Sequence, residues 1–135
     1  MDKRVTGIGG IFFKVKNPER LKKWYAEHLG LQTDQWGTNF ETRQADDPSR
    51  KSFLQWSVTD ENSKWFERPL MINYRVENLA RLIEQLKAEG VTIVDEIQQY
   101  PYGKFAHILD GEGNKIELWE PDDVEYDKMV QGRTK

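Results

Sequence analysis

The sequence predicts a single α+β domain made of two β-α-β-β-β modules, and three observations support this. The pattern IFFKVKN at residues 11–17 returns as INYRVEN at residues 72–78, with apolar, aromatic, basic and Asn positions in the same order. Each copy leads into a segment whose apolar side chains have helical spacing, and strand-like segments with turn signals follow each predicted helix. A chain of 135 residues suits one compact domain.

The first helix is predicted over Pro18–Leu29. Asn17 can cap its free N–H groups, and Pro18 suits the first helical position because no backbone donor is needed there. Gly30 supplies the left-handed residue that ends many helices. Its apolar face is predicted to comprise Leu21, Trp24, Tyr25 and Leu29.

The second helix is predicted over Leu79–Glu89 by the same reasoning. Asn78 caps it and Gly90 ends it. Its apolar face is predicted to comprise Leu79, Leu82, Ile83 and Leu86. Each well-buried side chain on such a face should stabilise the fold by about 1.5–3 kcal/mol.

Strand-like segments follow both helices and complete the modules. Turn signals at residues 46–49 and 110–114 separate neighbouring strands. The predicted strands after the helices are 31–34, 38–44, 52–58, 92–98, 104–109 and 115–120. We therefore predict one domain over 1–135, with module one over 7–58, a linker over 59–69, module two over 70–121 and a tail over 122–135.

Composition excludes several classes of site. The chain has no Cys and two His, which excludes disulfides, cysteine-ligated metals, cysteine nucleophiles and any site that needs three histidines. The net charge of −3 makes nucleic acid an unexpected partner. Neither a signal peptide nor a run of about 20 apolar residues is present, so we expect a cytoplasmic protein with no membrane partner.

Two motifs carry a resemblance to a known family. The segment WYAEHLGL at 24–31 and the hairpin DGEGNKIEL at 110–118 are similar to matching segments of the vicinal oxygen chelate superfamily. This superfamily includes glyoxalase I, extradiol dioxygenases, fosfomycin-resistance enzymes and bleomycin-binding proteins. In this chain Gly111 stands where the family usually has Pro. The resemblance covers residues 7–121 and implies a glyoxalase-like fold, in which the modules form an open, cupped barrel with helices outside. It also implies that the modules pair either within one chain or across a homodimer, and we expect a homodimer.

The resemblance also implies where a divalent metal would bind. Strand alternation puts the family's ligand positions on Gly10, Gln55, Met71 and Glu117. Of these residues, Glu117 alone offers a ligand that suits a hard divalent ion. We therefore predict no metal and no other cofactor, with a divalent metal in a changed site as the alternative.

The inferred cup has aromatic walls and a few polar groups. The predicted ligand-binding residues are Phe12, Lys14, Gln55, Met71, Asn73, Arg75, Tyr102, Phe105 and Trp119, with Phe40 and Trp56 as less secure members. Lys14 and Arg75 hold matching places in the two modules. They either present paired cations to an anionic group or extend into water at the cup mouth.

His107 and Glu117 are the candidate catalytic residues. They lie on adjacent strands of one predicted hairpin, where a carboxylate beside an imidazole can form an acid–base couple. The alternative is that His107 is a hydrogen-bonded part of the cavity wall and that Glu117 holds a neighbour. His28 is predicted to lie on the surface near the end of the first helix.

Three functions remain open from the sequence. The first is a small-molecule binding protein that uses an aromatic cup without a metal. The second is a glyoxalase-like lyase or isomerase, or a dioxygenase-related enzyme, that uses Glu117 and His107. The third is an interaction module whose cup is filled by its own side chains. The tail, where Tyr126, Met129 and Val130 have helical spacing, is either a docked helix or lid, or a solvated end.

Overall fold

The computed structural model describes residues 3–130 and 132–134. They form a mixed eight-stranded sheet with three helices, which confirms the predicted α+β fold class. The elements in chain order are β1 (Val5–Val15), α1 (Pro18–Leu29), β2 (Thr38–Gln44), β3 (Asp47–Asp60), β4 (Leu70–Val76), α2 (Leu79–Ala88), β5 (Gln98–Tyr100), β6 (Gly103–Leu109), β7 (Lys115–Pro121), α3 (Asp123–Met129) and β8 (Arg133–Thr134).

The sheet order reflects the internal repeat. The strands run β5-β6-β7-β4-β1-β3-β2-β8, so β1 and β4 meet antiparallel at the centre. Each of these central strands has a parallel neighbour, β3 beside β1 and β7 beside β4. The two modules therefore pair edge to edge within one chain.

Matching caps begin the two long helices. The side chain of Asn17 accepts from the backbone N of Arg20 at 3.0 Å, and that of Asn78 accepts from Arg81 at 3.2 Å. Gly30 follows α1 with a φ of 71°, a left-handed conformation that glycine adopts at little cost. Both helices begin where the sequence predicts, and α2 ends one residue earlier than predicted.

The main apolar core lies between α2 and the strands of module two. Its residues come from β4, α2, β6 and β7, and all are less than 9% exposed: Val76, Leu79, Leu82, Ile83, Ala106, Ile108 and Leu118. This core anchors the strands that carry the candidate site.

Helix α1 is packed less completely than the sequence predicts. Trp24 is 48% exposed and Leu29 is 61% exposed, although both belong to the predicted apolar face of the helix. The buried residue of α1 is instead Lys22, whose Nζ contacts Glu19 at 2.8 Å and the backbone oxygen of Asp34 at 3.1 Å. The amphipathic pattern therefore located the helix but did not determine how deeply it packs.

Two of the predicted strands, 31–34 and 92–98, do not form as predicted. Residues 31–34 contribute one isolated bridge, between Asp34 and Gly37, so module one lacks its predicted strand there. Residues 92–97 form one bridge, Ile93 to Ile108, before β5 begins at Gln98. The 92–97 segment has an alternating pattern because Ile93 and Ile97 pack on the core of module two.

The tail folds back across the open side of the sheet. After β7 it forms α3 and then β8, which pairs with β2 through Asn39–Arg133 and Phe40–Thr134. The tail thus links two distant strands, and its docked form is the one that the structure adopts. No helix within the described residues has the length and apolar character needed to cross a bilayer.

Candidate functional site

A cavity of about 590 Å³ lies on the face of the sheet opposite α1 and α2. Its size is in the range of sites for small organic molecules. We call it the cup. Its lining residues come from both modules and from the tail: Gly9, Phe12, Asp34, Trp36, Asn39, Gln55, Ser57, Trp65, Asn73, Gln98, Tyr100, Tyr102, Phe105, His107, Glu117, Trp119, Tyr126, Met129 and Val130.

Strand register brings the polar floor of the cup together. Asn73 on β4 lies beside Glu117 on β7, and Glu117 lies opposite His107 on β6. Side chains alternate along a strand, so the neighbours of these residues, such as Leu118 and Ile108, point into the core on the other face. The three polar side chains are each no more than 5% exposed.

His107 bridges two carboxylates. Its Nε2 is 2.7 Å from Oε2 of Glu117, and its Nδ1 is 2.7 Å from Oδ2 of Asp95. The backbone N–H of His107 also donates to Oδ1 of Asp95 at 2.8 Å. The imidazole is therefore fixed in position and orientation by partners on both ring nitrogens.

These contacts govern the protonation of the imidazole. Burial disfavours the charged form, but the hydrogen bonds and negative charges of Glu117 and Asp95 outweigh it and raise the pKa of His107 above its ordinary value. The protonated ring donates from both nitrogens, one to each carboxylate. The floor of the cup thus holds an imidazole between two carboxyl groups that favour its protonated form.

Asn73 is the second hydrogen-bond partner of Glu117, and its own side-chain oxygen has no partner in the part of the chain that the structure describes. Its Nδ2 donates to Oε1 of Glu117 at 2.8 Å, while its own Oδ1 has no hydrogen-bond donor among the described residues. A Cβ at position 9 would overlap both this oxygen and the ring of Trp119, so Gly9 makes room for them.

A second polar cluster joins module one to the tail. The hydroxyl of Tyr126 lies 2.7 Å from Oδ1 of Asn39 and 2.9 Å from Oε1 of Gln55. Asn39 donates to Oε1 of Gln55 at 2.6 Å, and Gln55 donates to the backbone oxygen of Trp36 at 2.7 Å. Burial raises the pKa of the Tyr126 phenol, which keeps it neutral and able to donate.

Aromatic rings form the walls of the cup. On one side Phe12 and Trp65 pack with centroids 4.7 Å apart. On the other side Phe105 stacks on Trp119 at 5.6 Å, and Tyr126 meets Trp119 edge-on at 5.0 Å. Such walls offer large apolar area and flat faces for a planar ligand.

Neither alternative predicted for Lys14 and Arg75 describes both residues, since they do not face the cup as paired cations and Arg75 does not extend into water. Arg75 is buried behind Trp119, its guanidinium 5.3 Å from the ring and its Nη2 2.6 Å from Oδ2 of Asp123. Lys14 lies over the ring of Phe66 and donates to the backbone oxygen of Glu67 at 3.3 Å. Neither lines the cup, and the ring of Trp119 separates the guanidinium of Arg75 from it.

Other predicted cup members also lie elsewhere. Met71 is 1% exposed and packs with Phe12 and Phe66 in a small cluster beside the cup. Trp56 packs on Phe13 and Tyr25, which places it on the helix face of the sheet. The remaining predicted members that line the cup are Phe12, Gln55, Asn73, Tyr102, Phe105 and Trp119.

The donor set does not fit the metal site implied by the family. Gly10 has no side chain, Met71 lies outside the cup, and Oε1 of Gln55 already accepts two hydrogen bonds. Both oxygens of Glu117 are engaged by Asn73 and His107. Across residues 3–130 and 132–134, no group of three or more His, Asp or Glu side chains could hold an ion.

Several site residues were not identified from the sequence. Asp95 lies in the irregular segment before β5, and nothing in its neighbourhood marks it as a partner of His107. Asn39, Trp36 and Trp65 likewise gave no signal of their own. Tyr126 did give one, since its helical spacing with Met129 indicated a docked helix as one of two alternatives for the tail, and the tail forms that helix.

Several solved structures resemble this protein at low sequence identity. The chain resembles methylmalonyl-CoA epimerase from Mycobacterium tuberculosis at 23% identity and a TM-score of 0.62, covering 94% of this chain and 95% of that one. It resembles the Streptomyces coelicolor epimerase, solved with 2-nitronate-propionyl-CoA, at 14% identity and a TM-score of 0.65, covering 87% and 99%. A Mn(II)-bound glyoxalase from Novosphingobium aromaticivorans matches at 20% identity and a TM-score of 0.55, covering 87% and 39%. No curated protein sequence matches the chain.

These structural likenesses establish a shared fold, and the family is established by sequence. The family model for the glyoxalase, bleomycin resistance protein and dioxygenase superfamily matches residues 7–118. This span contains module one, all but the last three residues of module two, and the polar floor. The chain therefore belongs to the glyoxalase/bleomycin resistance protein/dioxygenase superfamily.

Proposed function

We propose that this protein binds a small organic molecule in the cup, with no metal ion taking part. The observation that carries the proposal is the aromatic cavity above a floor whose Glu117 and His107 are already hydrogen-bonded. Glu117 is bound through both oxygens and His107 through both ring nitrogens. The volume of the cavity that remains above them matches sites for small organic ligands.

The chemistry of the walls supports reversible binding of a flat ligand. The Phe12–Trp65 pair and the Phe105–Trp119 stack face the same cavity, and the tail covers part of it through Tyr126. Aromatic walls contribute contact area, while the fixed polar floor orients the ligand. An interaction module with a filled cup is disfavoured by the cavity itself.

Two tryptophans offer a matched test of this proposal. Trp65 lines the cup and is 38% exposed, whereas Trp24 is 48% exposed on α1, where it packs on Tyr25 and His28. We expect the uncharged probe 2-naphthylmethanol to bind, and we expect Trp65→Ala to weaken its binding about fivefold or more because an aromatic wall is lost. Trp24→Ala should leave the affinity within about twofold.

Saturation-transfer NMR and calorimetry would measure these affinities. Loss of binding in Trp65→Ala alone supports the cup as the site. Equal affinities in the two variants, or no binding to the wild-type protein, would contradict the proposal. Circular dichroism spectra of both variants control for folding.

A second candidate function is a glyoxalase-like lyase or isomerase. The observation that favours it is the chain Asp95–His107–Glu117, because a carboxylate that orients an imidazole against a second carboxylate is an arrangement for proton transfer. It requires substrate to displace one of the present partners of Glu117. If turnover of an α-keto hemithioacetal is detected, Glu117→Gln should abolish it, and an unchanged rate would remove Glu117 from the chemistry.

The homodimer remains a prediction. The exposure of Trp24 and Leu29 on α1 supports a partner surface of this kind. Sedimentation velocity at several concentrations should give twice the mass of the chain, and a monomer at all concentrations would contradict it.

A further inference from the structure

We propose that the ligand of the cup is an organic cation, namely a planar aromatic or heteroaromatic molecule with a protonated nitrogen. This inference rests on the proposed function and specifies the class of ligand. It draws on the charges around the cup, on the location of nearby basic side chains and on the chemistry of the walls.

Acidic groups outnumber basic ones at the cup. Asp34 and Glu117 line it, and Asp95 lies directly behind His107. Even with His107 counted as a cation, three carboxylates face one positive charge. Asp34 has neutral hydrogen-bond partners, since its two oxygens accept from the backbone N–H groups of Trp36 and Gly132, so its charge is not neutralised there.

Basic side chains are directed away from the cup or are paired. No Lys or Arg lines the cavity within the part of the chain that the structure describes. Arg75 is the nearest candidate, but it lies behind the ring of Trp119 and is paired with Asp123. Lys22 approaches Asp34 from α1 and is paired with Glu19.

The aromatic walls of the cup also favour a cation. Aromatic faces carry partial negative charge and attract a cation that lies over them. Phe12, Trp65, Phe105 and Tyr126 line the space above the polar floor, together with Trp119, whose ring already has the guanidinium of Arg75 over it. The site therefore offers acceptors and ring faces, which suit an ammonium or a protonated ring nitrogen.

Anionic ligands are not expected to bind in the cup. A carboxylate or phosphate in the cup would meet Asp34 and Glu117 with no facing Lys or Arg to offset the repulsion. The coenzyme A thioesters named for the epimerases that share this fold are anions. We therefore do not expect the cup to accept them.

Three probes of one shape test this inference. They are 2-naphthylmethylamine, which is a cation at pH 7, the uncharged 2-naphthylmethanol, and the anion 2-naphthoate. Titration calorimetry at low salt should rank them amine, alcohol, carboxylate, with the amine about 3–30-fold tighter than the alcohol. Raising the salt concentration should narrow that ratio.

A charge variant localises the effect. Asp34→Asn should reduce the preference for amine over alcohol, measured as the ratio of their two dissociation constants in the same variant. Asp46→Asn, which removes the same charge from an exposed turn, should leave the preference unchanged. Equal effects of the two variants would indicate that net charge alone is responsible and would overturn the proposed role of the cup carboxylates.

The outcomes separate this inference from the proposed function. If the alcohol binds and Trp65→Ala weakens it, but the carboxylate binds as tightly as the amine, the cationic class is wrong and the binding cup stands. If none of the three probes binds, both are overturned.

Discussion

At matched places in the sheet, module one carries Gln55 and module two carries Glu117. Gln55 lies beside Gly10 in the parallel pairing of β1 with β3, and Glu117 lies beside Asn73 in that of β4 with β7. Gln55 takes part in a neutral cluster with Asn39 and Tyr126, whereas Glu117 takes part in a charged one with His107. A duplicated strand plan therefore supports two different polar sites in one cup.

The helices of the two modules also differ, and α2 is packed more completely than α1. Helix α2 buries Leu79, Leu82 and Ile83 in a continuous core, while α1 leaves Trp24 and Leu29 exposed. Module two thus combines the charged floor with the better-packed support. Burying charged groups costs free energy unless they are paired and hydrogen-bonded. The apolar core beneath Glu117 and His107 keeps them in the positions that allow this pairing.

The largest expected effect is on the charged cluster. His107→Ala leaves Glu117 and Asp95 facing one another without a cation, which should lower the free energy of unfolding by about 3–5 kcal/mol. The chain has two histidines, so the exposed His28 is a matched control, and His28→Ala should change stability by less than about 0.5 kcal/mol. Urea denaturation measures both, and similar values for the two would contradict this account of the cluster.

The two helices are compared by two leucines. Leu79 is fully buried at the start of α2, and Leu29 is 61% exposed at the end of α1. Leu79→Ala should lower the free energy of unfolding by about 2–5 kcal/mol, because burial is lost and a cavity is left. Leu29→Ala should lower it by less than about 0.5 kcal/mol. A large loss with Leu29→Ala in the monomer would mean that α1 packs more tightly than its exposure indicates.

Stability should depend on pH through His107. Its folded pKa is raised, so the stabilisation is fully present below the unfolded pKa of about 6.5 and is lost as pH rises through the folded value. The stability advantage of the wild-type protein over His107→Gln should therefore fall above pH 6.5, by at most about 1.4 kcal/mol per pH unit. Denaturation at pH 6, 7, 8 and 9 measures this, and an advantage that rises with pH would be the wrong sign.

Removing a partner from the neutral cluster of Tyr126, Asn39 and Gln55 should destabilise the protein less than removing His107. Tyr126→Phe removes the donor to Asn39 and Gln55, which should cost about 1–2 kcal/mol. Tyr100→Phe is the control, since its exposed hydroxyl lies 3.4 Å from Gln98, and it should cost less than about 0.5 kcal/mol. Thermal denaturation compares the two, and equal losses would show that Tyr126 does not fasten the tail to module one.

Much of this fold follows from local sequence. The capped helices, the duplicated central strands and the hairpin of β6 and β7 all have strong short-range signals. The segment at 92–97 was predicted as a strand because alternation reports burial, and Ile93 and Ile97 are packed on the core without forming a ladder. Pattern alone does not separate those two situations.

The candidate site was only partly predictable, for two physical reasons. Alternation assigns a face of a strand but not a position along it, so Met71, Asn73 and Arg75 were grouped together although only Asn73 lines the cup. Contacts between distant segments leave no local trace, so Asp95 was missed as the partner of His107.

Calorimetric titration of chelator-treated protein with Mn²⁺, Ni²⁺ and Zn²⁺ tests the central claim of a metal-independent cup most directly. The donor set predicts no one-to-one binding of any of the three ions at pH 7, because the oxygens of Glu117 are already engaged by Asn73 and His107. A one-to-one isotherm with a micromolar or tighter Kd that disappears in Glu117→Gln would contradict it.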